Sequence, residues 1–307
     1  MSIARSILLA ASTNQWLRNR ASRYGFVRRT VSRFMPGEEF TDAIQAAEIL
    51  RKNKIGAVFT HLGENVNDAK EAQQVTEHYV SVVEQMRQRN LDAEISVKLT
   101  QLGLDLSPEL CFENLKSILS QVPLSSTIWI DMESSPYVDR TLDIYRRAVE
   151  LFPATGICLQ AYLFRAKDDV ANLLPLKPSI RLVKGAYREP ANVAFSRKSD
   201  VDENYFAVAA EMLRAKEAGQ LGRAAFGTHD LEMIRRITEL AASTNMAKED
   251  VEVHMLYGIQ RNEQERLAEE GWRSVVLIAY GNYWYPWFVR RLAERPANAW
   301  FLAKNLF

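Results

Sequence analysis

Beyond residue 40, short apolar runs rich in β-branched residues alternate along the chain with longer segments of helical periodicity. Eight apolar runs have strand character: GAVFTHLGE, AEISVKLTQLG, STIWIDME, GICLQAYLF, IRLVKGAYRE, RAAFGTHD, VEVHMLYG and SVVLIAYG. The helical segments between them include 67–90, 108–121, 137–151, 203–218, 231–244 and 261–270. This repetition predicts a closed parallel (β/α)8 barrel of the TIM type. An open doubly wound sheet is the rival, but the chain lacks the GxGxxG that usually follows its first strand.

Polar residues stand at the carboxyl ends of several predicted strands. They are Lys98, Asp131, Gln160 and Lys184, with Thr228 and His229 after the sixth strand. Because the strands of a parallel barrel all end at one face, where active sites are built, we expect these side chains to converge there.

Arg181 lies inside the fifth predicted strand, on the same pleat face as Val183 and Gly185. If that face looks into the barrel, the guanidinium needs an anionic partner, since burying it unpaired costs several kcal/mol. On the outer face it would extend to solvent, and the sequence leaves both placements open. Gly185 predicts a place where a ligand approaches the backbone closely.

A predicted helix after the eighth strand carries Arg290 and Arg291, with Glu294 within reach of both. Alone, such a group is most often a surface ion pair of little energetic weight. Its place beside the barrel mouth favours a second interpretation, in which the two guanidinium groups bind a carboxylate or phosphate. The preceding aromatic run, YGNYWYPWF, is either core packing or a stacking platform.

Composition narrows the function classes. The chain has 307 residues, 47% of them hydrophobic, which is enough for one large core. Its net charge of +1, without a basic cluster among aromatics, argues against a dedicated nucleic-acid-binding protein. Cys111 and Cys158 lack disulfide or metal spacing and suit a reducing, cytoplasmic compartment. The histidines lack paired metal spacing, so no metal site is expected.

The N-terminal segment is basic. Residues 1–37 contain seven arginines and no acidic residue. We expect residues 1–40 to form a helical segment packed on a barrel of residues 41–307. The charge pattern also resembles a mitochondrial transit peptide or a membrane-surface helix, and the latter would place the protein peripherally at the inner membrane. The sequence contains no stretch of about 18 to 20 apolar residues that would span a bilayer.

An ordered series of motifs along nearly the whole chain resembles the monofunctional, bacterial-type proline dehydrogenase family. The motifs are HLGE, SVKLTQLGLD, IDME, LQAYL, RLVKGAY, KSDVDENY, THD, MLYG and RRLAERPxN. The resemblance implies a distorted barrel with extra N-terminal helices, a C-terminal helix over its mouth, and FAD bound there. It also implies oxidation of L-proline to Δ1-pyrroline-5-carboxylate by hydride transfer from C5 to flavin N5. A quinone would accept the electrons, and a pyrroline-5-carboxylate dehydrogenase would be the pathway partner.

The resemblance also assigns site residues. Arg181 would lie beside the flavin and stabilise negative charge on the reduced ring, with Asp131 as the acidic residue behind the site. The remaining cofactor-binding positions are Met132, Gln160, Val183, Lys184, Gly185, Ala186, Thr228 and His229. The substrate-binding positions are Lys98, Arg290 and Arg291 as a carboxylate clamp, Glu294 orienting it, and Tyr187, Leu256 and Leu277 as walls. Glu64 matches a gate residue that pairs with an active-site arginine.

The chain departs from the family pattern around the eighth strand. Leu277 stands where the family has a tyrosine against the substrate ring, and Ala279, Val275 and Trp287 replace a proline, an arginine and another tyrosine. The altered wall leaves hydroxyproline or pipecolate as alternative substrates. Two alternatives from other classes are an aldolase with Lys98 or Lys184 as Schiff-base nucleophile, and a non-catalytic metabolite-binding barrel.

Overall fold

The computed structural model describes residues 31–123 and 126–294, without the side chains of residues 290–294. Eight strands pair in parallel with their neighbours in sequence, and the eighth pairs with the first to close a barrel. They are β1 (Gly56–His61), β2 (Ala93–Lys98), β3 (Ile128–Asp131), β4 (Thr155–Gln160), β5 (Ser179–Val183), β6 (Arg223–Gly227), β7 (Val251–Leu256) and β8 (Arg273–Tyr280). The (β/α)8 prediction is confirmed.

One helix precedes β1, and the others follow the strands on the outside of the barrel. They are α1 (Phe40–Lys52), α2 (Ala69–Gln88), α3 (Pro108–Leu119), α4 (Val138–Leu151), α5 (Ala166–Leu173), α6 (Lys198–Glu217), α7 (Leu231–Ala242), α8 (Arg261–Glu269) and α9 (Trp284–Glu294). Short 3-10 turns occupy Leu99–Leu102, Ser135–Tyr137, Leu174–Leu176 and Lys248–Asp250. Helix α6 begins earlier than the predicted segment 203–218, because its polar first turn lacks apolar periodicity. Ion pairs of Arg197 with Asp200 and of Lys198 with Asp202 support that turn.

The strands are buried on both faces, as expected of a parallel barrel. Outward side chains such as Phe59, Leu182 and Phe226 pack against the helices in the main core. Inward side chains include an apolar group formed by Val58, Trp129, Ala225 and Val275, against which Leu277 packs.

The interior at the start of the strands holds a basal ion-pair network made of Arg223, Glu94, Glu252 and His254, with the half-exposed Arg273 at its edge, 3.6 Å from Glu94 and 3.7 Å from Glu252. Arg223 donates to Glu94 at 2.5 Å and makes two bonds of 2.7 Å to Glu252. His254 Nε2 lies 3.0 Å from Glu252 Oε2. Burial alone would raise the pKa of Glu252, but hydrogen bonds from Arg223 and His254 outweigh burial and hold that pKa well below its usual range. The interior is therefore charged at its base.

A second hydrophobic cluster joins the two ends of the described chain. Val31 and Met35 pack with Leu62 and with the aromatic run on α9. The run's members in this cluster are Trp284, Tyr285, Trp287 and Phe288. The core-packing interpretation of the run is thus the one that the structure supports. Residues 1–30 of the predicted N-terminal segment lie outside the described residues. Within the described ranges, no helix is long and apolar enough to cross a membrane.

Two histidines meet outside the barrel wall at the carboxyl ends of β1 and β8. The rings of His61 and His78 lie 4.5 Å apart, and His78 Nε2 lies 2.8 Å from the Tyr280 hydroxyl. His61 Nδ1 is buried and has no hydrogen-bond partner in the described part of the chain. Burial, with the nearby charge of His78, lowers the pKa of His61 to about 4. The folded protein therefore holds His61 neutral where an unfolded chain would protonate it.

We expect His61 to make the protein less stable as pH falls from 7 to 5. In that range the unfolded chain binds a proton at His61 and the native state does not, so the free energy of unfolding decreases as pH falls. Replacing His61 with asparagine should reduce the stability difference between pH 7 and pH 5 by about 1 to 2 kcal/mol. Urea unfolding of both proteins at the two pH values tests this. An equal pH dependence in the two proteins would refute it.

Candidate active site

Arg181 extends from β5 into the barrel and is only 2% exposed. Its Nη2 donates to Asp131 Oδ1 at 2.5 Å and to Ser96 Oγ at 2.7 Å. Burial alone would lower the pKa of Arg181, but the Asp131 carboxylate outweighs burial and raises it. Of the two placements that the sequence allowed, the structure selects the inward one, with Asp131 as the anionic partner. The sequence analysis did not predict Ser96, because nothing in the pattern distinguishes this serine within an otherwise apolar strand.

Buried polar atoms of β4 and β5 are unsatisfied near the carboxyl ends of these strands. Arg181 Nη1 and Gln160 Oε1 have no hydrogen-bond partner among the described residues. The Gln160 amide nitrogen is engaged, since it donates to the Met132 carbonyl at 3.3 Å. Buried polar atoms are nearly always paired, so such exceptions point to groups that a ligand would satisfy. The interior thus offers one cationic donor and one acceptor to a ligand.

Lys98 ends β2 beside Asp131, its register partner at the end of β3. Its ammonium donates to Glu64 at 2.8 Å and to the Gly63 carbonyl at 3.3 Å. Glu64, predicted as a gate residue, therefore places a carboxylate on the cation that is predicted to bind the substrate carboxylate. Behind them, buried Glu133 accepts hydrogen bonds from Thr100, and burial raises the pKa of Glu133.

Lys184 immediately follows β5 and points to two carboxylates. Its ammonium lies 2.5 Å from Asp202 on α6 and 2.8 Å from Asp230. Asp230 also accepts from the Met233 amide and so caps α7. Sequence reasoning did not single out these aspartates, although both lie in quoted motifs, KSDVDENY and THD. They connect a predicted cofactor residue to the first turns of two helices.

Gly185 has a φ of +108°, a conformation that favours glycine. A Cβ at this position would lie 2.4 Å from the Tyr162 ring, so the group that approaches the backbone closely in this structure is Tyr162. The Tyr162 hydroxyl donates to Glu189 at 3.1 Å, and Glu189 also accepts from the Ser135 amide at 2.8 Å. These contacts tie together the loops that follow β3, β4 and β5. Ala186 and Tyr187, two further predicted site residues, lie partly exposed in the last of these loops.

The remaining predicted positions line the same end of the barrel. His229 Nε2 accepts a hydrogen bond from the Leu256 amide at 2.9 Å, so a neutral His229 carries its proton on Nδ1. The Thr228 amide donates to the His254 carbonyl at 3.2 Å. Leu256 and Leu277 are register partners on β7 and β8, and Leu277 packs against the interior apolar group. Val183 ends β5, half-buried.

The predicted clamp lies on α9, which follows β8. The backbone of Arg290, Arg291 and Glu294 belongs to this helix, but their side chains lie outside the described residues. Their role toward a substrate carboxylate therefore stays a prediction.

A model of the proline dehydrogenase family matches residues 43–304. The chain belongs to this family. It is 37% identical over 303 residues to proline dehydrogenase 1 of Bacillus subtilis subsp. natto, covering 98% of each chain. It is 35% identical over 280 residues to proline dehydrogenase of Deinococcus radiodurans, covering 89% of each. The predicted family, and with it an oxidoreductase of proline catabolism, is confirmed.

Solved structures show the same fold inside a larger protein. Proline utilization A from Bdellovibrio bacteriovorus, inactivated by N-propargylglycine, superposes with a TM-score of 0.81 at 22% identity. The match covers 94% of this chain and 36% of that one. A Bradyrhizobium japonicum proline utilization A gives a TM-score of 0.72 at 21% identity, covering 87% and 31%. This chain therefore spans about a third of those proteins, and the likeness concerns the fold.

Proposed function

We propose that the site binds FAD and oxidises L-proline to Δ1-pyrroline-5-carboxylate. The observation that carries the proposal is the buried Arg181, held by Asp131 and Ser96 with one guanidinium nitrogen unpaired. A fixed, desolvated cation is what a cofactor that gains negative charge requires. Membership of the proline dehydrogenase family supports the same chemistry.

The described residues fit a flavin. Arg181 Nη1 can donate to the ring system and Gln160 Oε1 can accept from it, and both are unsatisfied without a ligand. Lys184 and the loop from Gly185 to Tyr187 would hold the rest of FAD, together with Thr228 and His229. FAD would supply the hydride acceptor, N5 of its ring, and C5 of proline would donate the hydride.

The protein's own contribution would be charge and position. Proline must react with its nitrogen unprotonated, and a site that already holds Lys98 and Arg181 disfavours a further ammonium. Lys98 would bind the substrate carboxylate once Glu64 turns away, with Arg290 and Arg291 completing the clamp. Leu256 and Leu277 would limit the space for the ring.

The decisive experiment is a visible spectrum of the purified protein before and after anaerobic addition of L-proline. We expect a flavin band that proline bleaches. A double Arg290→Met/Arg291→Met variant should keep the band and raise the KM for proline, because it loses the clamp but not the cofactor site. A colourless protein that does not take up FAD would refute the cofactor, and unchanged kinetics of the double variant would refute the clamp.

A related ring, such as hydroxyproline or pipecolate, is the second candidate substrate. It is favoured by Leu277, which replaces the family's tyrosine and contributes to an interior apolar group rather than presenting a hydroxyl. A change in one apolar wall alters discrimination by about 1 to 3 kcal/mol, which changes the preferred ring but not the reaction.

We expect Leu277→Tyr to shift the ratio of kcat/KM for L-proline over L-pipecolate about 10-fold toward proline, since the larger side chain narrows the wall. Steady-state kinetics with both substrates measure the ratio. Leu151→Tyr, at a leucine that is 57% exposed on α4, is the matched control and should leave it unchanged. A ratio that does not move in Leu277→Tyr would remove this residue from the substrate wall.

The aldolase alternative receives less support. Lys98 and Lys184 are each held in ion pairs with carboxylates, whereas an imine-forming lysine must have its nitrogen free to attack a carbonyl carbon. Trapping with borohydride and a carbonyl substrate would reveal such an amine.

The proposal also covers the electron acceptor, the pathway partner and the location of the protein. We propose a quinone as acceptor, a pyrroline-5-carboxylate dehydrogenase as pathway partner, and a cytoplasmic location with peripheral membrane contact through the basic N-terminus. Reduction of a soluble quinone by the proline-reduced protein would test the electron acceptor. Comparing the protein with and without residues 1–30 would test the contribution of the basic N-terminus.

A further inference from the structure

We propose that Trp129 is a positioning residue for Arg181. Its indole separates Arg181 from the carboxylates of the basal ion-pair network and so keeps that guanidinium at the level of the active site. The inference rests on the proposed function, because only there does Arg181 face a flavin.

Trp129 contacts two cations of the barrel interior. The guanidinium carbons of Arg181 and Arg223 each lie 5.0 Å from the centre of its ring, within the range of a cation–π contact. In the β5–β6 register Arg181 pairs with Ala225, which places Arg223 one inward-facing residue closer to the base. Trp129 is therefore the side chain that both arginines share.

The indole is held in one orientation. Its Nε1 donates to Glu94 at 2.7 Å, and the edge of the His254 ring meets it at 5.6 Å between centroids. Gly156 on the neighbouring strand leaves space for the benzo edge, since a Cβ there would lie 2.5 Å from Trp129 Cε3. The contacts with Glu94, His254 and Gly156 fix the indole, so Arg181 packs against a rigid ring.

The carboxylates around Arg181 explain why a fixed ring at this place is important. Among the described residues Arg181 has one carboxylate partner, Asp131, whereas Glu94 and Glu252 lie together at the base. Arg223 and Arg273 offset the charge of these two carboxylates, but their oxygens remain strong hydrogen-bond acceptors for a displaced guanidinium. With the indole removed, the flexible Arg181 side chain could move toward them. Nη1 of Arg181 would then bond to the basal carboxylates and would no longer be available to a ligand.

The test compares Trp129→Leu, which removes the ring, with Trp129→Phe, which keeps a ring. Besides proline turnover, the readout is the affinity of the bound flavin for sulfite, a small anion whose reversible bleaching of flavin depends on positive charge near the ring. We expect Trp129→Leu to keep its yellow colour while sulfite affinity and kcat each fall about 10- to 30-fold. Trp129→Phe should stay within about 3-fold of wild type.

Two further variants separate positioning from loss of a buried tryptophan. Trp272→Leu removes another buried indole, one that packs against Lys248, and should leave sulfite affinity unchanged. Gly156→Ala keeps Trp129 but displaces its ring, and should lower sulfite affinity in the same direction as Trp129→Leu. If Trp129→Leu does not fold, Gly156→Ala replaces it as the test of the inference.

Wild-type sulfite affinity in Trp129→Leu, or in Gly156→Ala where that variant replaces it, would overturn the inference. An equal loss in Trp272→Leu would do so as well. A wild-type protein without a flavin band even after addition of FAD would instead overturn the proposed function.

Discussion

Replacing Arg181 with lysine should lower kcat for proline oxidation by about 100- to 1000-fold, the usual effect of removing one fixed donor to a developing charge. Lysine keeps the positive charge for Asp131, so the fold should persist, but it cannot also supply the unpaired Nη1 donor. Steady-state kinetics with the flavin content of each preparation measured by absorbance would test this.

The control for Arg181 is Arg146→Lys, in an exposed pair with Asp143 on α4. It should have wild-type kcat, because neither residue belongs to the barrel interior. If Arg181→Lys retained flavin and turned over proline within about 3-fold of wild type, electrostatic stabilisation by this residue would be a minor contribution.

Replacing Arg223 with methionine should lower the free energy of unfolding by about 3 to 5 kcal/mol at pH 7, because it leaves the buried carboxylates with only the longer contacts of 3.6 and 3.7 Å to the half-exposed Arg273. Glu94 and Glu252 both depend on Arg223 for charge-assisted hydrogen bonds. Urea unfolding followed by far-ultraviolet circular dichroism would measure the loss.

This effect should depend on pH with a defined sign. In the wild type the pKa of Glu252 lies well below its unfolded value, so the stability it contributes is present at neutral pH and is lost as pH falls below about 4.5. Arg223→Met removes this contribution. The difference between the two proteins should therefore be largest at pH 7 and smaller near pH 4.

Arg235→Met is the matched control, because Arg235 also bridges two glutamates, Glu232 and Glu239, on the exposed face of α7. Its loss should change stability far less than the loss of Arg223, since solvent screens exposed pairs. If the two arginine variants lost the same free energy of unfolding, burial of the basal network would contribute little to stability.

The barrel and the family follow from the sequence alone, for a physical reason. Strands buried on both faces are short continuous apolar runs, and amphipathic helices repeat at their own period, so eight alternations predict closure. The strand-end rule likewise placed Lys98, Asp131 and Gln160 at one face. These are properties of local pattern and order, which a sequence carries directly.

Only the tertiary structure decided which way the ambiguous side chains face and what they meet. Arg181 could have pointed outward, and its partners Asp131 and Ser96 come from other strands. The pairing of Lys98 with Glu64, and the shared place of Trp129 between Arg181 and Arg223, depend equally on the register of a closed sheet. Electrostatic partners are set by distances between distant segments. A linear pattern does not contain those distances until the barrel has closed.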